Sequence, residues 1–232
     1  MADQQVAIVT GAGSGIGRAV ARALGEEGFR LALVGRDADK LQSTADSVPE
    51  ALLIAADLSE ADAALMVVDK TIDRWGRVDV LVNNAGVAPL VPIDETTDTL
   101  IDETFSINTF APIRLVASVW PVLRRQESGC VVNVSSMAVA DPFPGFSVYA
   151  ASKGAVDALT RSVINEGRVY GIRAFSVAPG AVETPLLRAS FSAQAIPPTA
   201  TLDPRDVARV VVDCIQGRRE ADLGQTILLP SP

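Results

Sequence analysis

Short β-branched runs alternate with longer helix-patterned stretches from one end of the chain to the other. No other feature restricts the fold as tightly. Apolar runs of this kind are buried on both faces, and a parallel sheet covered by its own connecting helices achieves that. Strands are predicted at residues 6–10, 30–34, 51–56, 78–83, 130–135, 172–178 and 225–229. Helices fill the intervals, the longest near residues 98–126 and 147–170. There is no internal repeat and no Ser/Gly/Pro-rich divider, so the 232 residues read as a single α/β domain with a full core.

An open parallel sheet binds ligands beyond the carboxyl ends of its strands. The first such end runs from Thr10 into Gly11, Gly13, Ser14, Gly15, Ile16 and Gly17, and then into a helix. Glycines permit a tight turn and close backbone approach, and the helix N-terminus supplies free N–H groups for a pyrophosphate. The second strand ends at Gly35, Arg36 and Asp37. A carboxylate here accepts from the 2′-hydroxyl of NAD, whereas an arginine fork clamps the 2′-phosphate of NADP. Asp37 stands one step too late and reads as a helix cap, which leaves Arg36 facing the phosphate. NADP(H) is therefore favoured and NAD(H) stays open. Asp57, followed by Leu58, ends the third strand. It can accept from the adenine amino group, cap a helix starting near Ser59, or do both. Asn83, Asn84, Ala85 and Gly86 end the fourth strand, and Ser135 and Ser136 the fifth.

Tyr149 and Lys153 are four residues apart in a predicted helix, so they stand on one face. An ammonium beside a phenol favours the phenolate. Moving a phenol from a pKa of about 10 to about 7 takes roughly 4 kcal/mol, which a fixed lysine in a dry pocket could supply together with a second cation. Such a pair passes protons at neutral pH.

Composition removes the competitors. The chain has no histidine, so His triads, His bases and His metal sites are excluded, and no metal is expected. A balance of 20 basic against 28 acidic residues offers no basic face to nucleic acid or an anionic membrane. Cys130 and Cys214 have no metal spacing and read as free buried thiols. Arg209 and Asp213 interrupt the most promising apolar run, and the first one, beginning at Val6, is only a strand long. These features predict a soluble cytoplasmic protein.

Taken together, Thr10 through Gly17, Asp57, Asn83 through Gly86, Asn108, Ser135 with Ser136, Tyr149 with Lys153, and Pro179-Gly180 followed by Thr184 resemble the classical subgroup of the short-chain dehydrogenase/reductases. The motifs occur in the family's order and at its spacing over about residues 6–185. The resemblance implies a doubly wound, Rossmann-type sheet of seven parallel strands in a three-layer α/β/α sandwich. It implies a nicotinamide cofactor held by the residues from Gly11 to Gly17, by Arg36, Asp57, Leu58, Asn84, Ala85 and Gly86, by Tyr149 and Lys153, and by Pro179, Gly180, Val182 and Thr184. Tyr149 would be the acid/base and Ser136 would polarise the substrate oxygen. Lys153 would bind the ribose and depress the phenol, and Asn108 would fix a relay water. Thr184 would contact the carboxamide.

The expected substrate is a small secondary alcohol or ketone. Met137, Val139, Phe143, Phe146, Leu186, Leu187 and Phe191 flank the presumed pocket and point to an apolar or ring-bearing carbonyl, although core or subunit packing explains them equally well. The segment at about residues 185–203 is short for a substrate lid and predicts an open pocket. By family analogy the two long helices pack between subunits of a homo-oligomer, a tetramer or dimer. The competing reading is a dinucleotide sensor or scaffold without chemistry on the same fold.

Overall fold

A computed structural model describes residues 4–232. Seven strands are described: β1 (Val6–Thr10), β2 (Arg30–Gly35), β3 (Ala51–Ala55), β4 (Val80–Asn83), β5 (Gly129–Val134), β6 (Ile172–Pro179) and β7 (Thr226–Leu229). They form one sheet in the order β3-β2-β1-β4-β5-β6-β7, and every pairing is parallel. The strands lie where the apolar runs predict them, within two residues at each end. The connecting helices are α1 (Gly15–Glu26), α2 (Ala38–Ala45), α3 (Ala63–Trp75), α4 (Asp98–Phe105), α5 (Ala111–Gln126), α6 (Ser147–Gly167), α7 (Pro185–Ser190) and α8 (Pro204–Ile215).

The pleat of β1 divides the core. Ala7 and Val9 belong to the cluster under α1, α2 and α8, with Val20, Leu24, Leu41, Val207 and Val211. Ile8, between them, points to the other face and the cluster under α3, α5 and α6, with Val67, Leu115, Val119 and Val163. Burial on both faces explains why the strands read as unbroken apolar runs. Among the described residues, no helix is long and apolar enough to cross a membrane.

Two expectations are corrected. The stretch predicted as one helix at residues 98–126 is α4 and α5 joined by a wide π-helical turn at Ser106–Phe110. Pro112, near the start of α5, has no N–H to donate to the carbonyl of Asn108, so an α-helical ladder cannot run through. The helix expected near Ser59 begins at Ala63.

Strand order reverses between β1 and β4, and the reversal is stitched by one hydroxyl. Thr10 Oγ1 donates to the Val82 carbonyl at 3.2 Å and accepts from the N–H groups of Asn84 and Ala85 at 2.9 and 3.0 Å. Thr10→Val keeps the shape and strands these polar groups. It is expected to lower stability by about 1–3 kcal/mol in a urea titration and to weaken dinucleotide binding. Wild-type values in both measurements would refute the stitch.

Candidate active site

The glycine turn is built for close approach. Gly11 has a φ of 64°, and a Cβ there would sit 2.8 Å from the Asn84 amide nitrogen. A Cβ on Gly17 would lie 2.2 Å from the Gly11 carbonyl oxygen. Neither position tolerates a side chain, and a backbone cradle results. Ser14 occupies the N-cap of α1 without a side-chain cap bond, and the first turn, which contains Ile16, carries no acidic residue. An anion therefore meets the helix N-terminus unopposed. Gly15 abuts Thr184, because a Cβ there would lie 3.0 Å from Thr184 Cγ2. A brace beyond the reach of sequence reasoning holds the loop: Arg18 donates to the Gly13 carbonyl, and Thr44 Oγ1 to that of Ala12 at 2.9 Å.

At the end of β2, Asp37 caps α2 as expected, accepting from Lys40 N at 3.1 Å and pairing with Lys40 Nζ at 3.2 Å. The backbone hydrogen bond from Lys40 and the contact with its ammonium hold the carboxyl below its usual range. Arg36, Lys40, Asp57, Leu58 and Gly13 line one small cavity. Lys40 was not anticipated from the sequence, because it lies a helical turn beyond the motif and comes alongside Gly13 only in the fold. Asp57 accepts from Ser59 N at 3.0 Å and Ser59 Oγ at 2.7 Å, which closes a turn, while it also lines the cavity. Those bonds, and then the charge of Arg36, lower its pKa.

On the other side of the crevice, Lys153 is 5% exposed and donates to the Val134 carbonyl at 2.8 Å. Burial lowers its pKa to about 8, and the negative charge of Asp157 opposes that shift. Asp157 is itself buried and accepts from Ser176 Oγ at 2.6 Å. Asn108 accepts from Val87 N at 2.9 Å and donates to the Val87 carbonyl at 2.9 Å and to Ser152 Oγ at 3.0 Å. Its side chain thus fixes the π-turn against α6. A Cβ on Gly86 would lie 3.0 Å from Asn108 Oδ1 and 3.4 Å from Lys153 Nζ, so a glycine leaves room for both. Asn83, Asn133 and Thr160 form a buried ladder from β4 through β5 to α6 at 2.8 Å per step. The strand reading did not anticipate it, since buried strand positions read as apolar.

Ser136 Oγ accepts from Ala138 N at 3.1 Å. Burial pushes the Tyr149 phenol up, and the neighbouring Ser136 hydroxyl offsets part of the rise. In the chain without a bound cofactor, desolvation is the larger effect on the phenol. Thr184 caps α7, accepting from Leu187 N at 3.2 Å and donating to the Val182 carbonyl at 3.1 Å. Gly180 N binds the Leu229 carbonyl at 2.9 Å, which fixes the end of β6 beside Pro179.

All of these elements border a cavity of about 400 Å³ whose walls include Gly11, Gly15, Asn84, Ala85, Ser136, Tyr149, Lys153, Pro179, Gly180 and Thr184. Met137, Phe143, Phe146, Leu186, Leu187 and Phe191 complete the walls, while Val139 is not among the lining residues. Leu186, Leu187 and Phe191 of the lid reach the wall, and Leu186 stays exposed there. Phe191 stands edge-on to Phe146 at 6.0 Å, and Phe146 lies 5.2 Å from the Tyr149 ring.

Residues 5–195 match the sequence profile described as short chain dehydrogenase. The chain belongs to the short-chain dehydrogenase family. A Thermotoga maritima protein named as an uncharacterized oxidoreductase is 36% identical over 197 residues, covering 83% of this chain and 78% of that protein. The crystal structure of levodione reductase superposes with a TM-score of 0.90 at 29% identity, covering 97% of this chain and 96% of that one. A 3-ketoacyl-(acyl-carrier-protein) reductase from Brucella melitensis, complexed with NADH, superposes at 0.92 with 25% identity, covering 99% and 98%. This short-chain dehydrogenase is an oxidoreductase that uses a nicotinamide cofactor. Its glycine cradle and acid-free helix N-terminus fit a dinucleotide.

A phenol disfavoured as an anion stays protonated at neutral pH. Difference absorbance in the near ultraviolet should show the Tyr149 phenolate, taken as wild type minus Tyr149→Phe, forming above the ordinary value of about 10 in the cofactor-free protein. A transition below that value would show that burial is not the controlling effect.

Proposed function

We propose that the whole chain serves as one catalytic domain that interconverts a secondary alcohol and a ketone, with NADP(H) preferred over NAD(H) and Tyr149 as acid/base. One observation carries this reading: the buried Tyr149, one helical turn from Lys153, shares a cavity with Ser136 and the glycine turn. The nicotinamide, when bound, supplies or accepts the hydride. The rest is done by the chain. Ser136 and Tyr149 donate to the substrate oxygen as charge grows on it, and Tyr149 then gives up its proton. Because burial keeps the phenol protonated, the site is set for reduction near neutral pH. Oxidation needs the phenolate, so its rate should climb as pH rises. Lys153 holds the cofactor ribose and places a positive charge beside the phenol. Asn108 anchors the π-turn on which the proton relay depends, and Thr184 meets the carboxamide from the start of α7.

Cofactor choice rests on Arg36 and Lys40, two cations that line the cavity at the end of β2. Asp37 is committed to Lys40, which leaves the ribose edge without a free carboxylate from β2. The substrate is an apolar or ring-bearing ketone, supported by the cluster of Phe143, Phe146 and Phe191 around Tyr149. Exposed Ile101, Phe110 and Ile113 on α4, the π-turn and α5 support a homo-oligomer, either a dimer or a tetramer, which light scattering would size. The free buried thiols Cys130 and Cys214 support a cytoplasmic location.

Tyr149→Phe should abolish turnover of a ketone panel while leaving dinucleotide binding intact, as read by nicotinamide fluorescence. Turnover that survives the change would remove the mechanism, and tight binding with no turnover in wild type would favour a sensor. Arg36→Asp should cut the preference for NADP over NAD by about ten- to a hundredfold, the value of one charge-assisted contact. An unchanged ratio of kcat/KM values would refute the assignment of Arg36.

A further inference from the structure

The lid leaves the sheet and returns to it through one stitched neck. Val182 pairs with Leu202 as an isolated parallel bridge, with Leu202 N on the Ala181 carbonyl at 2.8 Å and Glu183 N on the Leu202 carbonyl at 2.9 Å. Beyond the neck, α7 has no buried residue and the return path holds only a short helical turn at Pro198–Ala200. A loop with so little apolar anchoring should sample many shapes.

Phe191 against Phe146 and a bond from Ser190 Oγ to the Ala88 carbonyl at 3.4 Å restrain it, and one guanidinium does so at several points. Arg188, on α7, donates through Nε to Glu183 Oε1 at 2.7 Å and through Nη2 to Glu183 Oε2. Its Nη1 donates to the Ile196 carbonyl at 2.8 Å and to the Phe191 carbonyl at 3.4 Å. Thr201 Oγ1 adds a bond to Glu183 Oε2 at 3.3 Å. The first, middle and last parts of the lid therefore converge on one planar cation. An isolated exposed ion pair contributes little. This pair is bidentate and shares its cation with two carbonyls, a geometry that a lysine cannot reproduce.

The segment so held carries Leu186, Leu187 and Phe191 into the cavity wall. We propose that Glu183 and Arg188 form a latch that fixes the lid in the shape that brings its apolar side chains to the cavity wall, acting as positioning residues for recognition of an apolar ketone. The specificity half of this proposal rests on the ketone reading above, whereas the latch itself does not.

Two variants test it. Arg188→Met keeps the stem and removes the fork, and Glu183→Gln keeps the shape and removes the charge. Each should raise KM for an apolar ring-bearing ketone by roughly tenfold, the worth of one charge-assisted bond, with kcat far less affected. Each should also accelerate chymotrypsin cleavage at Leu186, Leu187 or Phe191, and Arg188→Lys should fall between these variants and wild type. Unchanged dinucleotide fluorescence would show that the variants fold. If Arg188→Met fails that control, Glu183→Gln decides. Wild-type cleavage rates in both variants would overturn the latch, and faster cleavage with an unchanged KM would overturn its role in specificity. If wild type reduces no ketone at all, the ketone reading has failed, and the cleavage rates alone decide the latch.

Discussion

The Lys153 ammonium, almost wholly out of solvent, donates to the carbonyl of Val134 at the last residue of β5. Holding a charge there is unfavourable, and the drop of its pKa to about 8 corresponds to a cost on the order of 3 kcal/mol at neutral pH. That cost is present below the lowered pKa and fades as pH rises toward the unfolded-state value. Asp157, one turn further along α6 and bonded to Ser176 of β6, opposes it. The chain thus keeps a charge where packing alone would remove it, which is common at functional sites. The rest of the crevice is arranged around that charge. Tyr149 is a turn earlier on α6, Ser152 between them holds Asn108, and Gly86 leaves room for both Lys153 and Asn108.

Two opposing effects act on Tyr149. Burial favours the neutral phenol, while the Ser136 hydroxyl beside it favours the anion. In the chain alone burial dominates, so the group begins as an acid. The aromatic wall of Phe146 and Phe191 contributes to this by excluding water, and it also shapes the space a substrate enters. One packing arrangement therefore both buries the phenol and shapes the cavity. The lid belongs to the same arrangement, because its polar latch lies outside the pocket and its apolar side chains form the wall.

How much of this was legible beforehand depended on the range of the interaction. The strands could be read because burial on both faces leaves runs of Val, Ile and Leu with no polar interruption. The glycine turn, the Asp37 cap and the Tyr149–Lys153 spacing were legible for a similar reason: each depends on neighbours within one turn or one loop. The break at Asn108 was missed because residues 98–126 carry a continuous helical pattern that hides the one local signal, Pro112 without an N–H for the Asn108 carbonyl. Lys40, Asp157, Ser176 and the Asn83–Asn133–Thr160 ladder were missed because their partners are remote in sequence.

From the sequence alone came the class of fold, the glycine cradle and the Tyr149–Lys153 pair on one helix face, because backbone conformation, periodicity and i,i+4 spacing are local properties. Tertiary structure decided the rest. It set the direction of the phenol's shift, which depends on how much water neighbouring elements exclude. It also made the neck of the lid, because Val182 and Leu202 pair only when the end of β6 and the approach to α8 are brought together.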